Sequence, residues 1–147
     1  MAYQHILVPV DGSETSLAAV EKAAEFAKAF NSKITVVQVL ALDPYIAAEY
    51  ISASQTNDMI ERARGAILSD LNTAQEKFAA LGVEVETKLV EGQVVHRELV
   101  KAAEELNADL IIIGSHGRTG IKKLFLGSVA QNVLTEVNIP VLVVRYP

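Results

Sequence analysis

Residues 108 to 128 read ADLIIIGSHGRTGIKKLFLGS and join a short apolar run to a glycine-rich segment. The run from Ala108 to Ile113 is rich in isoleucine, which is typical of a strand buried on both faces of a parallel sheet. Such sheets bind ligands at the carboxyl ends of their strands. The glycine-rich segment that follows is therefore the first place to look for a binding site.

The composition of this segment favours an anion. Without a Cβ, Gly114 and Gly117 can take a positive φ and let backbone N–H groups approach an anion closely. Ser128 is a suitable N-cap for a following helix, whose first-turn N–H groups would face the segment. Three cations add local positive charge: Arg118, Lys122 and Lys123. These features together predict a phosphate site.

An ordinary strand-to-helix loop explains the same residues, because such loops use glycine for turns, serine for capping and lysine for solubility. The chain contains neither the GxxxxGK[S/T] pattern nor the GxGxxG pattern. The common fingerprints of NTPases and of dinucleotide-binding domains are therefore absent.

Composition narrows the class of protein. A chain of 147 residues fits one domain. Half of its residues are hydrophobic but only 5% of all residues are aromatic, which suits helices packed on a parallel sheet. The 18 acidic against 13 basic side chains argue against broad binding to nucleic acid. Because cysteine is absent, disulfides and thiolate chemistry are excluded.

Two further absences concern metals and membranes. The histidines His5, His96 and His116 form no HxxxH or HExxH pair, so we expect no metal site built on them. No apolar run reaches the roughly 18 residues that span a bilayer, and no signal segment opens the chain. These observations predict a cytoplasmic protein.

Apolar periodicity predicts five strands alternating with four helices along residues 1–147. The strands are His5 to Val10, Ile34 to Leu40, Val83 to Val90, Ala108 to Ile113 and Val141 to Val144. The first helix turns Val20, Ala23, Ala27 and Phe30 inward, and the second carries Ile60, Ala63, Ile67, Leu71, Ala74, Phe78 and Leu81. The third runs from Val95 to Leu106, and the last presents Val129, Ala130, Val133, Leu134 and Val137. The pattern predicts one α/β domain with an open, doubly wound parallel sheet and helices on both faces.

The sequence supports specific predictions at three further places in the chain. Gly82 is a suitable C-cap for the second helix. Residues 41 to 56, with Tyr45 and Tyr50, are expected to form a loop that covers the site or contacts a partner. The last strand would be an apolar edge, which a homodimer or the protein's own loops would cover.

A family resemblance joins these features. The spacing Gly114-x2-Gly117-x9-Gly127-Ser128 matches the G-2x-G-9x-G-[S/T] nucleotide signature of the universal stress protein family. The chain resembles that family over its whole length, from the opening strand and Asp11 turn to the closing strand. The resemblance implies an adenine-nucleotide-binding domain with strand order 3-2-1-4-5 that acts in stress response. It also implies a homodimer through the C-terminal strand Val141-Arg145, and a tetramer is compatible with it.

Because the signature glycines are all present, the chain resembles the ATP-binding branch of the family. By motif position, Asp11 would bind the ribose, with Pro9 and Val10 leading into its turn, and Val39 and Ile113 would flank adenine. The triphosphate, with Mg²⁺, would be held by Gly114, Gly117, Gly127, Ser128 and Val129, with Arg118 beside them.

The residues leave alternatives open. Asp11 also suits a simple capping role, and Val39 and Ile113 also suit an ordinary core. His116, Ser13 and Ser115 have no catalytic partner within sequence reach, so we assign them no catalysis.

Three functions remain in competition. We favour a regulatory module whose ATP state changes its assembly and its affinity for a partner protein, for which a membrane transport or signalling system is compatible with the sequence. A slow Mg-dependent ATPase or adenylate-transfer enzyme is the alternative. The third is a structural dimer whose loop binds no nucleotide.

Overall fold

The structure, a computed structural model, describes residues 2–41, 53–115 and 127–145. Its strands are β1 (His5–Pro9), β2 (Lys33–Ala41), β3 (Glu86–Gly92), β4 (Leu110–Gly114) and β5 (Val141–Val144). Its helices are α1 (Glu14–Phe30), α2 (Ala53–Ala80), α3 (Val95–Glu105) and α4 (Ser128–Glu136). The strict alternation of strands and helices confirms the predicted α/β class.

The five strands form one sheet in the order β3-β2-β1-β4-β5, and every neighbouring pair is parallel. This order confirms the expected doubly wound arrangement. β1 lies at the centre, where Ile6 is in register with Ile34 of β2 on one side and with Leu110 of β4 on the other. β3 and β5 are the two edges.

Side chains that alternate along the central strands fill two core layers. Ile6, Ile34 and Ile112 pack with α1 and α2 on one face, where Phe78 is fully buried. Leu7, Val37 and Ile111 pack with α3 and α4 on the other face. Helices therefore cover both faces, and this explains why β1 and the core of β4 are apolar without alternation.

Two apolar residues predicted to face inward are exposed. Phe30 is 39% exposed because it is the last residue of α1, where it packs edge-to-face on Tyr3 with ring centroids 5.0 Å apart. Leu134 is also 39% exposed. It follows Val133 on α4, and the 100° step around a helix turns it away from the sheet once Val133 is fully buried.

The ends of α2 and β3 also differ from expectation. Gly82 has a φ of +82° after the end of α2, which confirms it as a C-cap, but Leu81 lies beyond the helix. β3 begins at Glu86, not Val83, because its pairing with β2 starts opposite Thr35. α2 begins at Ala53, so the expected loop ends earlier than residue 56, and residues 42–52 lie outside the described ranges. None of the described helices is long and apolar enough to cross a membrane.

A polar network closes the amino edge of the sheet. The Asp109 carboxylate accepts hydrogen bonds from the backbone N–H groups of Gln4 and His5, at 2.8 and 3.0 Å. The His5 ring lies within hydrogen-bonding distance of the Leu106 carbonyl and the Thr35 hydroxyl, at 2.9 and 2.7 Å. Burial by itself raises the pKa of Asp109, but the backbone hydrogen bonds, those from Gln4 and His5 first, together with the charge of the nearby His5 outweigh burial, and the pKa lies below its ordinary value.

The Asp109→Asn variant tests this network. The amide keeps one acceptor oxygen and loses the charge, so we expect a loss of about 1 kcal/mol in unfolding free energy at pH 7. Because the folded-state pKa is lowered, the contribution of Asp109 is complete at neutral pH and disappears as the pH falls from about 4 through that pKa. Denaturant titrations at pH 7, 4 and 3 should therefore show the two proteins converging. The exposed Glu84→Gln variant is the control, and an equal loss in both variants would contradict the prediction.

Replacing glycine by alanine should have opposite effects on the free energy of unfolding at two positions of the chain. A Cβ at Gly65, in the exposed middle of α2, would meet nothing within 4 Å. Gly65→Ala should therefore stabilise the protein by about 1 kcal/mol through helix propensity. Gly82→Ala should destabilise it by about 1–2 kcal/mol because an L-residue is strained at that φ. Thermal unfolding of both variants checks the signs.

Candidate functional site

The strand order reverses between β1 and β4. β1 leads into α1 on one face of the sheet, and the chain after β4 continues to α4 on the other face. The two connections therefore diverge at the carboxyl ends of adjacent strands. Open α/β sheets bind their ligands in the crevice that forms at such a point.

The turn after β1 is held by Asp11. The carboxylate Oδ1 accepts a hydrogen bond from the Ser13 backbone N–H at 2.9 Å, across Gly12 with its φ of 81°. Ser13 is the N-cap of α1, and its hydroxyl accepts from the Ser16 N–H at 3.2 Å. Asp11 thus braces the turn, as the capping alternative expected, while the helix itself is capped by Ser13. The half-buried carboxylate lies at the edge of the crevice.

Gly114 ends β4 without a positive φ, contrary to the sequence-based prediction. Glycine is required there for a different reason. A Cβ at this position would lie 2.8 Å from Thr15 Cγ2 and 3.0 Å from the Thr15 carbonyl oxygen. The first turn of α1 therefore packs directly on the end of β4.

Ser115 fastens three segments at the end of β4. Its N–H donates to the Val144 carbonyl of β5 at 2.8 Å, and its carbonyl accepts from the Gly127 N–H. The second bond places the start of α4 beside the end of β4. Residues 116–126 lie between the two bonded residues and outside the described ranges, so the predictions for His116, Gly117, Arg118, Lys122 and Lys123 stay predictions.

α4 begins at Ser128, as predicted, but its N-cap is Gly127. The prediction that Ser128 caps the helix was therefore wrong, since Ser128 is already the first helical residue. Gly127 has extended backbone, with φ −62° and ψ 157°, and no side chain to accept from the first turn. The first intrahelical bond runs from the Gln131 N–H to the Gly127 carbonyl at 3.0 Å. The N–H groups of Ser128, Val129 and Ala130 precede it and have no acceptor within an α-helix.

The expected adenine-flanking residues lie on one face of the sheet. Val39 and Ile113 belong to the same core layer, the one that also holds α4. Ile113 is 6% exposed, whereas Val39 is half-buried at the carboxyl end of β2. Pro9, the last residue of β1, lies on the strand between β2 and β4 and is in register with Val37 of β2. Val10 packs in the opposite layer, so it is separated from this group by the sheet.

Two buried polar residues near the crevice were not predicted from the sequence. Thr15 and Ser16 are 4% and 5% exposed in the first turn of α1, and Ser115 is 6% exposed. Three of the five buried polar residues of the described chain therefore lie at this edge of the sheet. Hydroxyls on the inner side of an alanine-rich helix were the available clue. In the described ranges, no three His, Cys, Asp or Glu side chains come together as a metal site.

Solved structures share this architecture. Protein MJ0577 of Methanocaldococcus jannaschii superimposes with a TM-score of 0.85 at 31% identity, over 100% of this chain and 99% of that one. A universal stress protein in complex with cAMP gives 0.74 at 29% identity over the full length of both chains. The universal stress protein of Archaeoglobus fulgidus in complex with dAMP gives 0.72 at 27%, over 99% of this chain and 100% of the other.

Sequence comparison agrees with the superpositions. The model of the universal stress protein family matches residues 2–145, nearly the whole chain. The chain belongs to the universal stress protein family.

Proposed function

We propose that this protein binds ATP in the crevice between β1 and β4 and acts as a regulatory stress-response protein. Two relatives of the same fold were solved with adenine nucleotides, cAMP and dAMP. The arrangement of polar groups at the crevice suits the three parts of such a ligand: phosphates, ribose and base.

The capping of the two helices at this edge carries the proposal. Both α1 and α4 point their amino ends toward the end of β4. The first turn of α1 is occupied by the side chain of Ser13, which accepts from the Ser16 N–H. α4 starts on a glycine, whose missing side chain leaves its first-turn donors to an external acceptor. A phosphate satisfies such donors and the positive end of the helix dipole.

Asp11 is suited to the ribose. A carboxylate has lone pairs for several donors, so it can hold the Ser13 N–H and accept from a sugar hydroxyl at the same time. Val39 and Ile113 offer apolar surface to the base on the face of the sheet that carries α4. Phosphates at Gly127, Ser128 and Val129 would then lie on the same side as the base.

The oxygen groups of the crevice suit Mg²⁺ only when it is bound together with the nucleotide phosphates. Mg²⁺ prefers oxygen ligands and retains several waters, and it is usually held through substrate phosphates. Asp11 and the hydroxyls of Ser13 and Ser128 are among the oxygen groups that the described crevice offers. We propose that magnesium screens phosphate charge there.

Regulation would pass through β5. The Ser115 backbone joins the start of α4 to Val144, so movement of α4 on phosphate binding acts on the last strand. All four residues of β5 are half-buried at an edge of the sheet. We propose that a second copy pairs with Val141-Arg145, and that nucleotide state alters this assembly and the affinity for a partner protein.

Calorimetric titration of Mg·ATP into nucleotide-stripped protein tests the proposal, with Gly127→Asp as the decisive variant. An aspartate at the N-cap accepts from the first turn of α4 and also repels phosphate. We expect stability to rise by about 0.3–1 kcal/mol and ATP binding to be lost. Opposite changes in stability and affinity exclude misfolding as the cause.

Gly127→Asn is the matched control, because asparagine caps the helix without charge. It should weaken ATP less than Gly127→Asp does. Wild-type affinity in both variants would overturn the phosphate assignment. Repeated phosphate release by the wild-type protein would favour the slow ATPase instead.

The Asp11→Ala variant tests the ribose assignment. Loss of a buried hydrogen bond to a sugar hydroxyl should weaken ATP by about 1–3 kcal/mol. Inorganic tripolyphosphate, which has no ribose, should bind the variant and the wild type equally in a competition assay. If Asp11→Ala unfolds at a lower temperature but binds ATP with unchanged affinity, Asp11 only braces the turn and does not bind the ribose.

A further inference from the structure

Thr15 lies between the two halves of the crevice. Its side chain is 4% exposed on the first turn of α1, against the end of β4. The contact is with Gly114, where an added Cβ would lie 2.8 Å from Thr15 Cγ2, 3.0 Å from its carbonyl oxygen and 3.1 Å from its carbonyl carbon. The space between the two residues is therefore smaller than one methyl group.

On one side, Thr15 is tied to the turn that carries Asp11. Asp11 accepts from the Ser13 N–H, and Ser16 donates two hydrogen bonds to Ser13, from its N–H to the Ser13 hydroxyl at 3.2 Å and from its hydroxyl to the Ser13 carbonyl at 2.9 Å. Thr15 lies inside this bonded segment. Its position and that of the Asp11 carboxylate are therefore fixed relative to each other.

On the other side, Gly114 is tied to the start of α4. The next residue, Ser115, accepts from the Gly127 N–H and donates to the Val144 carbonyl. A shift of Gly114 must therefore move the amino end of α4 as well. The contact between Thr15 and Gly114 is where the two rigid segments meet.

We infer that Thr15 is a positioning residue whose Cγ2 methyl sets the distance between the Asp11 turn and the amino end of α4. The inference rests on the proposed function, because these segments are the ribose and phosphate halves of the site. Thr15 itself touches no ligand. It adjusts how well one rigid molecule can engage both halves at once.

The backbone at position 114 makes a clean test possible. Since Gly114 has no positive φ, alanine is not strained there, and Thr15 is the only obstacle that the neighbouring atoms present within 3.1 Å. Thr15→Ser removes Cγ2 and keeps the hydroxyl. The double variant Gly114→Ala/Thr15→Ser then carries the same methyl on the other side of the contact.

The experiment compares three ligands on four proteins: wild type, Gly114→Ala, Thr15→Ser and the double variant. ATP spans both halves of the site, whereas adenosine and inorganic tripolyphosphate each engage one half. We expect Gly114→Ala to weaken ATP about tenfold or more while the half-ligands change little. Thr15→Ser should weaken ATP several-fold. The double variant should recover part of the affinity lost in Gly114→Ala, because the closest contact is removed while the Thr15 carbonyl stays 3.0 Å from the added Cβ.

A control variant and a fallback comparison complete the test. Gly65→Ala makes the same change in open space and should leave all three affinities unchanged. If Gly114→Ala does not fold, the comparison of the wild type with Thr15→Ser, which keeps the hydroxyl and lacks only Cγ2, carries the test.

Several outcomes would overturn the inference. These are a double variant no better than Gly114→Ala, a parallel loss of all three ligands, or equal ATP binding by Thr15→Ser and the wild type. Failure of the wild type to bind ATP would instead overturn the proposed function, and the positioning role with it.

Discussion

The parallel pairing of β1 with β4 is the constraint on which the rest of the structure depends. Right-handed crossovers carry the chain from β1 toward β2 on one face and from β4 toward β5 on the other. The helices that follow must therefore begin on opposite sides of the sheet, and their amino ends converge at one edge. The crevice is a consequence of strand order, and the side chains only determine what it can hold.

Small residues let the helices approach this sheet closely. Ala19, Ala23, Ala24 and Ala27 are at most 5% exposed on the inner side of α1. The packing is equally close at Gly114, where an added side chain would collide with Thr15. Interiors packed this tightly transmit displacement, so a change at one end of the crevice is felt at the other. Close packing thus links the crevice to the edge strand β5.

Much of this could be predicted from the chain. Apolar runs such as Ile111 to Ile113 located the buried strands, and the family resemblance supplied their order. The predictions failed where a residue's role depends on a neighbour distant in sequence. Gly114 is a glycine because Thr15 approaches it, which no local pattern records. Phe30 and Leu134 have the helical spacing of core residues, but Phe30 is the last residue of its helix and Leu134 is turned away from the sheet.

The most instructive failure concerns a Gly-Ser dipeptide that stands at the start of two helices. Gly-Ser precedes or begins both helices, at residues 12–13 and 127–128. At the first, the serine is the N-cap and its hydroxyl fills the first turn; at the second, the glycine is the N-cap and the serine is already helical. The difference is one residue of register, set by the Ser115 carbonyl that holds the Gly127 N–H. One tertiary hydrogen bond thus accompanies the difference between a helix capped by its own serine and a helix whose first turn receives no capping side chain.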